Sequence, residues 1–399
     1  MIEADVESAQ LTYESIADVD IPEELQPIID LEESIWALNP QNVVEIGENF
    51  ITLIKRHFLE PTSALKIIDY ACQKRPKLVY TYLDLFEYLK THFNFPKFSD
   101  SNFLNSLLFE KNEGKNQMDT FFPSLFPEQT IGYYIQTDDI DKVIQETKDP
   151  SFDFNKPIER RKRHIFFGND QYNPIELAAK HGSINCFKFL MMNKLDLTDR
   201  LVTLSVEGGN IEIIRILQQN GADFKNSINA ALSFHHEQIH DWIVNNYGFE
   251  GFYVQDCLEF YFHKALIYYL ENKGDINFMH NNATPLCRAC MNNFFIVIKY
   301  IIEQGADVNK FSNILTPLSI ACDKNNINAI KYLLDHGSEP NVKVEIDKTP
   351  LTIAIENDAI DVVQMLIDKG AKVNENVLLG IQFIISSENS SFNCFCRKT

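Results

Sequence analysis

From residue 30 to residue 111 apolar side chains recur every three or four positions, the spacing of helices with one buried face. Phe50, Leu53, Ile54 and Phe58 form one such stripe. Pro61-Thr62-Ser63 opens another, with Leu65, Ile68, Ala71 and Cys72 on one side, and Pro76 closes it. Leu78, Tyr82, Leu85, Phe86 and Leu89 make the next. The pattern predicts four short helices that do not repeat, packed against the first of the units that follow. Those units begin with Ile131 to Asn155, where Asp138-Asp139-Ile140-Asp141-Lys142-Val143-Ile144 starts a second helix. Asn173-Pro174-Ile175-Glu176-Leu177-Ala178-Ala179 opens the next. Gly209-Asn210-Ile211-Glu212-Ile213-Ile214-Arg215-Ile216-Leu217 then leads to Gly221-Ala222-Asp223. Gly221, Gly248 and Gly274 lie 27 and 26 residues apart, so 173–277 reads as helix pairs joined by short loops.

Further along, the pattern becomes a strict repeat. Thr284-Pro285-Leu286-Cys287-Arg288-Ala289-Cys290, Thr316-Pro317-Leu318-Ser319-Ile320-Ala321-Cys322 and Thr349-Pro350-Leu351-Thr352-Ile353-Ala354-Ile355 are spaced by 32 and 33 residues. Each leads through an apolar helix to a turn: Gly305-Ala306-Asp307-Val308-Asn309, Gly337-Ser338-Glu339-Pro340-Asn341 and Gly370-Ala371-Lys372-Val373-Asn374, with Gly274-Asp275-Ile276-Asn277 in phase before them. Thr is a good helix N-cap, Pro at the first helical position leaves no N–H unpaired, and Gly after a helix supplies a left-handed cap. Ala at the sixth position lets two helices approach closely.

The period and the T-P-L-x-x-A signature resemble the ankyrin repeat family, over roughly 30–375. The family's His after T-P-L is replaced by Cys287, Ser319 and Thr352, which predicts a weakened cap. Asn293, Asn325 and Asp358 replace the Gly between the two helices, and these residue types tolerate a left-handed backbone. A helical block followed by finger-poor and then finger-bearing repeats is similar to large protist families of trichomonad-like ankyrin proteins. The resemblance implies an all-α, ankyrin-type solenoid of roughly eight helix-pair repeats with short β-hairpin fingers in the C-terminal ones. The expected organisation is an acidic disordered leader (1–29), a helical block (30–115), a first degenerate repeat with a basic insertion (116–172), finger-poor repeats (173–277), finger-bearing repeats (278–375) and a cap and tail (376–399). Val377-Leu378-Leu379 is expected to cap the last repeat.

Charge refines this picture. The 399-residue chain carries a net charge of −20, and residues 1–50 hold 13 acidic groups and no Lys or Arg. The leader and the first helical stretch together therefore account for most of the imbalance, and an acidic chain lacks the footprint for general nucleic-acid or anionic-membrane binding. The start, Met1-Ile2-Glu3-Ala4-Asp5, lacks the basic and apolar regions of a secretory signal. The apolar run Val377 to Ile385 is too short to span a bilayer. The eight Cys show no disulfide framework and read as free thiols in a reducing cytosol. The expected location is cytoplasmic, with a nuclear route through the basic run Arg160, Arg161, Lys162 and Arg163.

Three patterns were weighed for chemistry. His236-Glu237-Gln238-Ile239-His240 matches H-E-x-x-H, which on a helix places two imidazoles on one face for Zn²⁺. In register, however, His235-His236 takes the loop of Gly209-Asn210, and Ile239, Trp242 and Ile243 take the buried places of Ile213, Ile216 and Leu217. Cys287-x-x-Cys290 has no second pair, and Cys290 falls at a small core position of the repeat. No phosphate-cradling glycine motif occurs. The reading is therefore a non-catalytic protein–protein interaction scaffold with no cofactor, no catalytic residues and no metal site. Its partner is another protein held in the concave groove. By resemblance, the contact positions are Arg288, Met291 and Asn292; Ile320, Asp323 and Lys324; Ile353, Glu356 and Asn357; and the finger residues Lys310, Phe311, Lys343 and Glu345. The alternative is an adaptor that delivers substrates to a larger complex through the N-terminal block. A remote alternative is a zinc hydrolase using His236 and His240.

Overall fold

The computed structural model describes residues 15–93, 104, 126–158, 171–193, 196–248, 254–272, 274–344, 348–374 and 377–382. Arg160–Arg163, Glu345 and the tail beyond 382 lie outside them. The N-terminal stripes fold as α1 (Gln26–Trp36), α2 (Val43–Lys55), α3 (Pro61–Lys74) and α4 (Val79–Lys90). Helices then follow in consecutive pairs: α5 (Ile131–Gln136) with α6 (Ile140–Glu146), α7 (Pro174–His181) with α8 (Ile184–Met191), and α9 (Asp199–Gly208) with α10 (Ile211–Gln219). The next are α11 (Ile228–Ser233) with α12 (Glu237–Tyr247), and α13 (Val254–Glu259) with α14 (His263–Asn272). The last are α15 (Pro285–Asn292) with α16 (Phe295–Glu303), α17 (Pro317–Asp323) with α18 (Ile327–Asp335), and α19 (Pro350–Glu356) with α20 (Ile360–Asp368).

First helices stack on first helices along the row, from α5 on α7 through α17 on α19. Second helices stack likewise, as α6 on α8 and α16 on α18. Each unit thereby buries an apolar face that it cannot cover alone. The chain must reverse between the two helices of a pair, and it does so through a residue at positive φ in every pair. These are Asp138, Gly182, Gly209, His235, Tyr261, Asn293, Asn325 and Asp358, with φ from 52° to 69°. Gly, Asn and Asp tolerate that conformation, whereas His235 and Tyr261 do not do so readily.

The caps correct one expectation. Thr284, Thr316 and Thr349 each accept a hydrogen bond from the backbone N–H three residues on. At Thr316 and Thr349 the box is closed in return, because the Ser319 and Thr352 hydroxyls accept from the N-cap N–H at 2.9 and 2.7 Å. A hydroxyl replaces the family's imidazole without weakening the cap. At the first opening Cys287 brings a thiol in place of a hydroxyl, and that thiol faces the Lys310 carbonyl at 3.8 Å.

The fingers are shorter than hairpins. Among the described residues there is no strand, only single antiparallel bridges at His280–Ala283, Ser312–Leu315 and Val344–Lys348. In the first, Asn281 and Asn282 both take positive φ, as a two-residue type I′ turn requires. The chain on either side turns away at once, because the Asn two or three residues earlier is committed to the next unit. Asn277 accepts from the Asp307 N–H at 2.8 Å and donates to the Gly305 carbonyl. Asn309 repeats this with Glu339 and Gly337 at 2.9 and 3.0 Å, and Asn341 with Lys372 and Gly370 at 2.7 and 2.9 Å. This ladder fixes the register between units.

Two further expectations are corrected. Residues 15–29 are not disordered: Ile16, Leu25, Ile28 and Ile29 are fully buried, as few but well-placed apolar anchors suffice to dock them. The N-terminal block also does not rest chiefly on the first pair. It touches that pair through Lys77, whose ammonium reaches the Gln136 carbonyl, but α1 packs on α14, and the turn Ile16–Asp18 packs on both α12 and α14. At the other end Val377 is buried while Leu378 and Leu379 stay exposed, so one side chain of the segment covers the last unit.

Replacing Asn309 by Ala removes both rungs of one ladder step. Chemical denaturation is expected to show a loss of about 1 kcal/mol with helix content unchanged.

Candidate protein-interaction surface

The row of helix pairs has two long edges. One carries the turns between paired helices, and the other carries the fingers. The turn edge is covered in its middle by the N-terminal block. Trp36 stacks on His235 at 4.3 Å between ring centroids, and His235 stacks on Phe262 at 4.2 Å. Tyr70 meets Tyr261 edge-on at 5.5 Å, and its hydroxyl donates to the Ser233 carbonyl at 3.0 Å. The Ser63 hydroxyl reaches the Asn292 carbonyl at 2.9 Å. The two bulky left-handed residues are therefore the ones the block grips.

A buried polar pair holds the same seam. Both carboxylate oxygens of Glu32 are used on residue 263: one accepts from His263 Nδ1 and the other from the His263 backbone N–H at 3.1 Å. Glu32 and His263 are buried, and burial raises the Glu32 pKa. Removing one partner of such a pair leaves the other uncompensated, at a cost of about 3 kcal/mol or more. Farther out, Asp241 accepts from the Ser15 hydroxyl and the Ile16 N–H, and Glu24 pairs with Lys299 at 2.7 Å.

The H-E-x-x-H residues belong to this seam and to the stack. His236 is the N-cap residue of α12 rather than part of its barrel, and its Nε2 donates to the Glu207 carbonyl at 3.1 Å. That is the role Asn210 plays for the Gly182 carbonyl one unit earlier. His240 is fully buried, its Nδ1 donating to Asp241 at 2.9 Å and its Nε2 accepting from the Tyr269 hydroxyl at 2.6 Å. Glu237 faces Lys264 at 3.3 Å. His236 is spent on the preceding unit and His240 on its own helix and the following unit, so among the described residues the zinc-hydrolase alternative has no converging ligand set. Cys287 and Cys290 are buried free thiols whose pKa values burial pushes up.

The groove positions separate into two groups. Asn292, Ile320 and Ile353 are buried and are withdrawn as contact residues. Asn292 donates to the Leu258 carbonyl at 2.6 Å, while Ile320 and Ile353 lie in the interior between stacked first helices. Arg288 and Met291 are half-buried, with Arg288 at 3.6 Å from Glu259 and the Met291 carbonyl accepting from Lys66 at 2.8 Å. Asp323 and Lys324 are exposed and pair with each other at 2.8 Å. Glu356 is exposed and pairs with Lys348 at 2.7 Å, and Asn357 donates to the Asp323 carbonyl at 3.3 Å. Lys310 is half-buried and Lys343 exposed.

The finger edge, by contrast, presents bare apolar groups. Phe278 is 47% exposed, Met279 42%, Phe311 39% and Ile314 48%, on two successive fingers. Of these the sequence reading named only Phe311. Met279 is Phe311's counterpart one 32-residue repeat earlier, which was a legible signal.

Comparison with protein families decides what this row is. The family model described as Ankyrin repeats (3 copies) matches residues 257–344 and 312–377. The chain contains ankyrin repeats. Residues 184–269 match a domain of unknown function, DUF3447, so the two models together follow the helix pairs from α8 to α20. No curated protein matches the chain. Ankyrin repeats generally mediate protein interactions and are generally non-catalytic. Among the described residues, no helix is long and apolar enough to cross a membrane.

Acid should weaken the seam. Burial pushes the His235 pKa down to about 3 and also lowers those of His236 and His240. Below pH ~6.5 an unfolded imidazole binds a proton that the folded one refuses, so stability is complete above that pH and falls as pH drops toward 3. The slope is at most about 1.4 kcal/mol per pH unit for each imidazole. Denaturation midpoints measured from pH 7 to 4 should follow this trend, and His235→Asn should flatten it.

Proposed function

We propose that the chain is a protein–protein interaction scaffold whose partner lies along the finger edge and the adjoining exposed ends of the first helices. The observation that carries this reading is the run Phe278, Met279, Phe311 and Ile314, four large apolar side chains each between a third and a half exposed on neighbouring repeats. Apolar groups clustered in this way mark interaction sites, and a few such anchors supply most of the affinity of an interface. Lys310 and Lys343 flank them on the fingers, while Arg288, Met291, Asp323, Lys324, Glu356 and Asn357 lie farther along the first helices toward the turns. In this reading all the helix pairs from α5 to α20 are repeats of one solenoid, roughly eight in number, with the bridged turns as their fingers. The match to DUF3447 supports extending the array N-terminally from the ankyrin-matched segment.

The adaptor alternative retains only the outer faces of the N-terminal block, since its inner face is spent on the array. Cytoplasmic residence with a nuclear route through Arg160–Arg163 remains part of the proposal and is checked by imaging the chain with those four residues changed to Ala.

The paired change Phe278→Ser and Phe311→Ser leaves the core untouched. Recovery of crosslinked partners from native cells, followed by mass spectrometry, should fall at least about tenfold with melting unchanged. Equal recovery would remove the fingers from the interface.

A further inference from the structure

A second surface lies at the seam itself. The turn after α2 hangs over the starts of α16 and α18 and leaves a cleft of about 390 Å³, lined by Arg56, His57, Phe58, Phe295, Ile296 and Asn328. Its floor is apolar: Ile296 is buried, and Phe295 is half-buried and packs edge-on against Tyr332 at 6.0 Å. Its rim is basic. Arg56 and His57 are exposed, Lys55 precedes them at the end of α2, and Lys331 is exposed one turn beyond Asn328. Among the described residues none of these four has an ion-pair partner. Along the same edge burial, with repulsion from Lys324 added to it, lowers the Lys66 pKa to about 8. The carboxylates nearby in the chain are mostly committed: Asp323 to Lys324, Glu24 and Glu303 to Lys299, and Asp335, which also feels the Lys331 charge, to Lys369. Glu60 is the one acid on the turn 56–60.

The cleft therefore sets three cations, Lys55, Arg56 and Lys331, around an aromatic floor in a chain of net charge −20. Unpaired like charges on a rigid surface raise the local potential and attract the opposite sign, while the floor offers an anchor for one apolar side chain. We propose that this cleft docks an acidic peptide segment of a separate protein, with an apolar side chain on Phe58 and Phe295 and its carboxylates on Arg56, His57 and Lys331. The site joins the N-terminal block to the repeats, so an occupant would bridge both and is independent of the finger edge.

The test is selection of displayed random peptides against the full chain, followed by affinity measurement on the selected peptides as synthetic probes. The expected peptides carry net negative charge and one large apolar residue, and their binding weakens as salt is raised. Arg56→Glu should cost at least about tenfold, Arg56→Lys should restore much of it, and the paired finger change should leave affinity alone. Arg56 is exposed, so its variants keep the test readable if Phe295→Ser disturbs folding. Peptides without acidic character, or binding indifferent to Arg56→Glu, would overturn the proposal. Peptides lost with the finger variant but kept with Arg56→Glu would overturn it while supporting the finger reading. A tenfold gain on deleting residues 1–14 would place the chain's own acidic leader in the cleft and overturn the assignment to a separate partner.

Discussion

Every helix pair of the described row from α5 to α20 turns through one backbone residue in a left-handed conformation. Without it the second helix cannot fold back beside the first, and the stack has no unit to repeat. Six of the eight turns seen among the described residues fill that position with Gly, Asn or Asp, which adopt it cheaply. His235 and Tyr261 fill it at a cost of about 1 kcal/mol each, and both are covered by the N-terminal block. The strain and the docking are two sides of one arrangement. Bulky rings at the turns provide the stacking surfaces on which Trp36 and Tyr70 sit, and that contact offsets the unfavourable backbone.

This arrangement divides the molecule's edges by task. The turn edge is spent internally, through ring stacking, the Glu32–His263 pair and the carbonyls at the turns of the repeats. The finger edge, held in register by the Asn277, Asn309 and Asn341 ladder, and the open cleft beside α2 are the two surfaces proposed for partners. Clamping a linear array at its middle also changes its mechanics. A free repeat row communicates only between neighbours, whereas α1 to α3 tie repeats from α11 to α16 together, so these units should open as one.

Much of the fold was legible because its grammar is local. The Thr-Pro-Leu openings, the Gly and Asn turns and the 32-residue spacing each report a cap, a left-handed residue or a register bond within a few positions. The histidine motif was likewise resolved by phase, since His235-His236 occupies the place of Gly209-Asn210. The seam was not legible, because Glu32 and His263 are separated by 231 residues and no spacing rule links them. The one available hint was the aromatic residue standing where neighbouring turns carry Gly or Asn. The groove list mistook Asn292, Ile320 and Ile353 for surface because helix phase alone does not separate a face turned to solvent from one turned to the next repeat.

The most direct test of the coupling between strained turn and docked block is a double-mutant cycle on His235→Gly and Trp36→Ala, read by equilibrium denaturation. In the otherwise intact chain His235→Gly should destabilise, because the stacking surface is lost. In the Trp36→Ala background it should destabilise less, because the Trp36 stack is already gone while the Phe262 stack and the bond to the Phe260 carbonyl are still lost, giving a coupling of about 1 kcal/mol. An identical effect of His235→Gly in both backgrounds would contradict the account.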